Sequence, residues 1–209
     1  MKTLFVFLFL ALAALSYSQQ FQRFGQTPLD GHYWDFQGNK HVGKLQVYCT
    51  TQMRAGSTIK FSEDGKKKQK LTKNQVKSFL IGQDSFALIQ NFSPSKLAYY
   101  STDFAKVIKV GAINLYVHTR RVTQSTGYYG VGMGVSSANI LTENYVVRKS
   151  GNSSYIAIFN KKSFTKYFLP LIADFPLLHS KATTMKPREG LSSLWLLINE
   201  YNEFKKGNP

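Results

Sequence analysis

The groups able to do acid–base, metal or nucleophilic chemistry are few: His32, His41, His118 and His179, the single cysteine Cys49, and eleven carboxylates among 209 residues. No two histidines stand four apart, the spacing that sets two imidazoles on one helical face around a metal, so no metal site is expected. Asp30 and His32 flank one loop residue, a weak ligand signal. Asp35, Asp84, Asp103 and Asp174 fall near expected turns or helix ends, where carboxylates serve local needs. No G-x-S-x-G elbow occurs. Cys49 has no neighbouring base to hold it as a thiolate, and it runs in phase with Leu45 and Val47, which turns it toward the core as an inert thiol. No catalytic residue and no cofactor is assigned.

Binding chemistry has more to draw on. The chain carries a formal net charge of +16, which attracts anionic partners: nucleic acid, a phosphorylated glycolipid surface or an acidic polymer. A solvated basic face explains the same number without a ligand. Between residues 60 and 77 stand Lys60, Lys66, Lys67, Lys68, Lys70, Lys73 and Lys77, with only Glu63 and Asp64 to balance them. One reading is an anion-contacting hairpin tip built on Lys66, Lys67, Lys68, Lys70 and Lys73. The plainer reading is a solubilising turn whose lysines guard a sheet edge. A sequence-specific nucleic-acid reader shows a recognition helix or a stacking platform; neither is visible, and nucleic acid is disfavoured as a partner.

Aromatic residues give two further candidates. Trp34, with Tyr33 and Phe36 beside His32 and Asp35, has the composition of a carbohydrate-contacting face, though an ordinary strand core uses the same residues. Tyr128 and Tyr129 lie in a glycine-rich stretch with Gly127, Gly130, Gly132 and Gly134, and offer contacts to a ligand or a membrane edge. Strand-like sequence follows those glycines where a phosphate loop needs a helix, so a long loop or glycine-rich hairpin is expected there.

These residues must be positioned by strands. Lys44–Cys49 alternates, with Leu45, Val47 and Cys49 on one face. Ile113, Leu115 and Val117 alternate with Asn114, Tyr116 and His118 in the same way, the period-two mark of half-buried strands. Further strands are expected at His32–Phe36, Thr58–Phe61, Lys77–Ile81, Ser85–Asn91, Phe104–Val110, Asn144–Arg148 and Ser154–Phe159. Gly38, Gly65, Gly82, Gly111 and Gly151 punctuate them. Residues 62–73 read as a lysine-rich turn.

The last fifty residues change period. Phe164, Phe168, Leu171, Ile172 and Phe175 trace one helical stripe, with a kink expected at Pro170. A final helix starts near Pro187, with Leu191, Leu194, Trp195, Ile198 and Tyr201 as its apolar face and Lys205 and Lys206 against its C-terminal dipole. The expected fold class is α+β: an antiparallel β-rich body, as a curled sheet, barrel or sandwich, over residues 19–160, and two C-terminal helices over 161–209 packed on the same core.

The first eighteen residues have the layout of a secretory signal peptide: Met1-Lys2, an apolar run from Leu4 to Leu15, then small residues up to Ser18. Cleavage after Ser18 is expected, delivering an exported protein to the periplasm, the outer-membrane periphery or the medium. No segment reaches the ~20 apolar residues of a membrane span. With one cysteine there is no internal disulfide, so stability must come from the core. Asn91-Phe-Ser93 and Asn152-Ser-Ser154 match the N-glycosylation pattern, which matters only in a eukaryotic secretory pathway.

Gly43-Lys44-Leu45, Ile59-Lys60-Phe61, Gly65-Lys66-Lys67, Val76-Lys77-Ser78-Phe79 and Ser85-Phe86, followed by Val107, Val110-Gly111, Leu115-Tyr116 and the ending Leu197-Ile198-x-x-Tyr201-Asn202, form a recognisable cadence. It resembles a loose group of exported, uncharacterised Bacteroidetes proteins, in which a strand-rich front half precedes a helical piece ending in Tyr-Asn. The resemblance implies location and layout and brings no activity. The functional expectation is a non-enzymatic envelope or secreted protein binding an anionic envelope glycolipid or acidic polymer through a basic face. The alternative is a secreted hydrolase acting on a polymer, with a site near Trp34 and His118.

Overall fold

The computed structural model describes residues 27–49, 57–64, 66–96, 98–126 and 136–207. The expected leader, the Tyr128-Tyr129 pair and its glycines, Gly65, and the side chain of Cys49 lie outside the described residues.

Ten strands form one antiparallel, unclosed sheet: β1 (Leu29–Trp34), β2 (Lys40–Cys49), β3 (Ser57–Ser62), β4 (Gln69–Leu71), β5 (Ser78–Ile81), β6 (Asp84–Ser95), β7 (Ala98–Lys109), β8 (Ile113–Thr126), β9 (Ser136–Lys149) and β10 (Ile156–Ile158). Their order is β10-β9-β8-β7-β6-β5-β1-β2-β3-β4. Expected strands appear at every position named, mostly longer. The exception in kind is β4, an edge strand hidden inside the lysine-rich stretch that reads as turn. Only its Leu71 is buried, and one inward residue is too little for a periodic signal.

Turn glycines at 38, 82 and 151 take positive φ, as turn chemistry requires. Asp35 fixes the first of these turns by accepting from the Asn39 backbone N–H at 2.8 Å, the Asn39 side chain at 2.9 Å and His41 at 3.2 Å. Those bonds, the Asn39 side chain's foremost, hold its carboxyl down to about 2.

Register shows how the sheet curls. Tyr33, Phe79, Phe86 and Phe104 share one face across β1, β5, β6 and β7, and with Leu45, Val47, Ile59, Phe61, Leu71 and Val76 they form one core. Here the sheet bends until β2 approaches β8. On the opposite face Ile89, Ala105, Tyr116, Val146 and Ala157 gather with Phe92, Ala98 and Tyr100 into a second core, enclosed because β10 comes round to β6. The two halves therefore curl in opposite senses.

The helices cover the convex side of the second curl. Residue 160 starts them: Asn160 accepts from the Ser163 backbone N–H at 2.8 Å while Ser163 Oγ accepts from the Asn160 N–H at 3.0 Å, a reciprocal cap. A turn of α1 (Lys161–Ser163) passes into a π turn at Phe164–Phe168 and a 3-10 turn at Leu169–Ile172, with Pro170 near the start of the latter. Pro170 thus sits where its missing N–H costs little. α2 (Pro176–Thr184), α3 (Pro187–Ser192) and α4 (Leu194–Gly207) follow, more pieces than the two helices expected. Phe164, Phe168, Ile172, Leu178, Leu194, Leu197, Ile198 and Tyr201 pack on Ile113, Leu115, Val147 and Ile158. Trp195, expected on the apolar face of the last helix, is half exposed; Leu197 is buried.

The Tyr-Asn ending has a structural task. Tyr201, fully buried, donates its hydroxyl to Asp174 at 2.9 Å, and burial above all raises its pKa. Asn202 accepts from the Ile113 N–H at 2.7 Å and donates to the Ile113 carbonyl at 2.9 Å. Gly111 lies so close that a Cβ there would stand 2.6 Å from the Asn202 amide; close approach, not turn geometry, is why glycine occupies that position.

Candidate functional site

Two places on this scaffold carry chemistry. The first is the outer face of β1–β4. Inward positions take Leu45, Val47, Ile59, Phe61 and Leu71, so alternation sends Lys44, Gln46, Thr58, Lys60 and Lys70 outward. Gln46 stands opposite Lys60, and Lys60 directly opposite Lys70. Lys44, Lys60 and Lys70 are exposed, and Lys60 Nζ lies 4.8 Å from the Tyr48 ring centroid. Elsewhere lysines are matched to acids, as in Lys106–Asp84, Lys181–Glu200, Lys205–Asp174 and Lys206–Glu203. Among the described residues no such pair involves Lys44, Lys60, Lys67, Lys68 or Lys70.

The five lysines singled out by the sequence separate here. Lys67, Lys68 and Lys70 are exposed on the β3–β4 hairpin. Lys66 is paired with Glu63 across the turn. Lys73 is half-buried and donates to the Thr102 carbonyl at 2.6 Å, tying the hairpin to β7. Trp34 faces outward opposite Lys40, on the same side as Lys44, with the His32 ring edge-on at 4.3 Å. Tyr33 points the other way and stacks on His41 at 4.5 Å, and Phe36 is half exposed. Strand alternation splits the expected aromatic cluster into a core residue and a surface residue.

The second place is a parting between strands. β7 stays paired with β6 down to Ala98, and β8 with β9 out to Thr126. Among the described residues, the β7–β8 ladder itself runs only between Lys106–Lys109 and Leu115–Val117. Where the strands diverge, Asp103 of β7 and His118 of β8 bridge them: His118 Nε2 lies 2.8 Å from Asp103 Oδ2. Asp103 Oδ1 accepts from the Ser57 N–H at 2.7 Å and the Phe104 N–H at 2.9 Å. Burial pushes the Asp103 carboxyl up, but the His118 bond, the His118 charge, the Ser57 N–H and nearby Lys73 outweigh it and leave it lowered.

Phe92 and Tyr100 stand edge-on to His118, each at 4.8 Å. Asn144 is its direct cross-strand partner, and Arg120 follows two residues on along β8. Both Asp103 and His118 are almost wholly inaccessible. Asp103 is therefore a mid-strand residue and not a turn carboxylate. Asn114, Tyr116 and His118, the polar side of an expected half-buried strand, are all buried. A carboxylate flanked by strand-forming residues was the available signal; its partner fifteen residues on is brought to it by the pairing of β7 with β8, at the point where the two strands part.

Comparison with family models, curated proteins and solved structures yields no match for this chain. No helix among the described residues is long and apolar enough to cross a membrane, and no group of three or more metal-ligating side chains occurs among them.

Proposed function

We propose that this is an exported, non-enzymatic protein of the cell envelope or its surroundings that binds an anionic glycolipid surface or acidic polymer through the outer face of β2–β4. One observation carries the reading: Lys60 and Lys70 stand directly opposite each other, near Lys44, without a carboxylate among the described residues to pair them. Like charges placed across a ladder destabilise it, and an anionic partner relieves that repulsion. The leader-like start and the resemblance to exported Bacteroidetes proteins support the location.

Sedimentation with anionic and with neutral liposomes tests this. Binding to anionic vesicles at low salt, falling steeply toward physiological salt and abolished by Lys44→Glu/Lys60→Glu/Lys70→Glu, is the expected result. Equal binding to neutral vesicles, or an unchanged triple variant, overturns it.

The second reading, a polymer-acting hydrolase, rests on the Asp103–His118 couple. Trp34, its expected companion, lies on β1, separated from β8 by β5, β6 and β7. Release of reducing ends from acidic polysaccharides, lost in His118→Gln, would favour that reading over the first.

A further inference from the structure

Among the described residues, four buried side-chain polar atoms have no hydrogen-bond partner: His118 Nδ1, Arg120 Nε, Asn144 Nδ2 and Arg148 Nε. All four belong to the same face of the β8–β9 pair, because His118 opposes Asn144, Arg120 opposes Thr142 and Arg148 opposes Asn114. Arg148 is otherwise engaged, donating to the Tyr155 hydroxyl at 3.0 Å. The other three cluster at the parting of β7 and β8. Native interiors leave few such groups unsatisfied, and three on neighbouring positions of one strand pair are a concentration that calls for a cause.

Their chemistry specifies a complement. Asp103 accepts at both oxygens, so in the tautomer that donates Nε2–H to Asp103 the His118 ring presents a lone pair at Nδ1. Asn144 Nδ2 and Arg120 Nε are donors, the latter cationic. A directly opposed cross-strand pair has Cβ atoms about 5 Å apart, so one hydroxyl can donate to His118 Nδ1 and accept from Asn144 at once. A carboxylate beside that hydroxyl meets Arg120, which is only half-buried and marks the side of entry. We propose that the parting between β7 and β8 binds a small hydroxylated carboxylate of the sugar-acid class. The site is separate from the lysine face and does not depend on it.

The test is NMR of the full chain labelled with ¹⁵N at histidine, His118 being assigned through its ring contacts with Phe92 and Tyr100. D-glucuronate, glucose and acetate are the probes. Glucuronate shifts His118 Nδ1 and saturates, whereas glucose, without the charge, and acetate, without the hydroxyl, bind at least about tenfold more weakly, as expected for losing one charged or polar contact. Arg120→Gln, at the half-buried rim, weakens glucuronate by a similar factor while its thermal midpoint stays near that of the parent. The proposal is overturned if no probe moves His118, if acetate and glucuronate act alike, or if a folded Arg120→Gln variant binds glucuronate unchanged.

Discussion

β8 is one strand with two unlike faces. Ile113 and Leu115 meet Phe164, Phe168, Leu178 and Tyr201 in an apolar interior, whereas Asn114, Tyr116 and His118, on the alternate positions, line the inside of the second curl with polar groups. Burial is nearly complete on both sides, so burial alone does not tell a core from a site. Satisfaction does. On the helix side the polar groups that enter, Tyr201 and Asn202, find partners; on the other side His118 Nδ1 and Asn144 Nδ2 do not.

Substitutions sharpen that contrast. Phe168→Ala, which removes a fully buried ring of the helix side, should cost about 3–5 kcal/mol, the range for emptying an aromatic site, measured as a lowered denaturant midpoint. Asp103→Ala on the curl side should cost about 3 kcal/mol, because it strips His118 and two backbone N–H groups of their acceptor.

The same group sets an acid limb. The folded pKa of Asp103 lies below its ordinary 3.8, so its stabilisation is complete above that value and disappears as pH falls through the depressed one. Urea midpoints followed below pH 4 should drop less steeply in Asp103→Asn than in the parent. An unchanged slope would mean that other carboxylates govern acid unfolding.

Asn202→Ala should cost about 2 kcal/mol, since both polar groups of Ile113 lose their partner in a buried setting. Asn144→Leu is the informative opposite: deleting a buried donor with no partner should change stability by less than about 1 kcal/mol. A loss as large as that of Asn202→Ala would erase the distinction between the two faces.

Much of the sheet is legible in the sequence because alternation survives wherever one face is buried and the other wet, as along Lys44–Val47. Alternation fails at β8, whose two faces are both buried, so the polar residues there read as outward. It fails again at Trp195, where helical periodicity fits the stripe but the neighbouring helices cover only part of it. The lysine face is half visible: the residues are local, yet the opposition of Lys60 and Lys70 depends on pairing β3 with a three-residue strand. The Asp103–His118 couple is not legible, because it is made by where two strands separate.

The amide of Asn202 behaves as a missing strand edge, answering both polar groups of Ile113 from 89 residues away. Those two bonds join the start of β8 to the last helix, so neither element completes them alone. Without α4 the Ile113 N–H and carbonyl would have to turn to water instead. Closing this end of the second curl therefore depends on two distant segments of the chain, because Ile113 and Asn202 supply the two halves of one clasp.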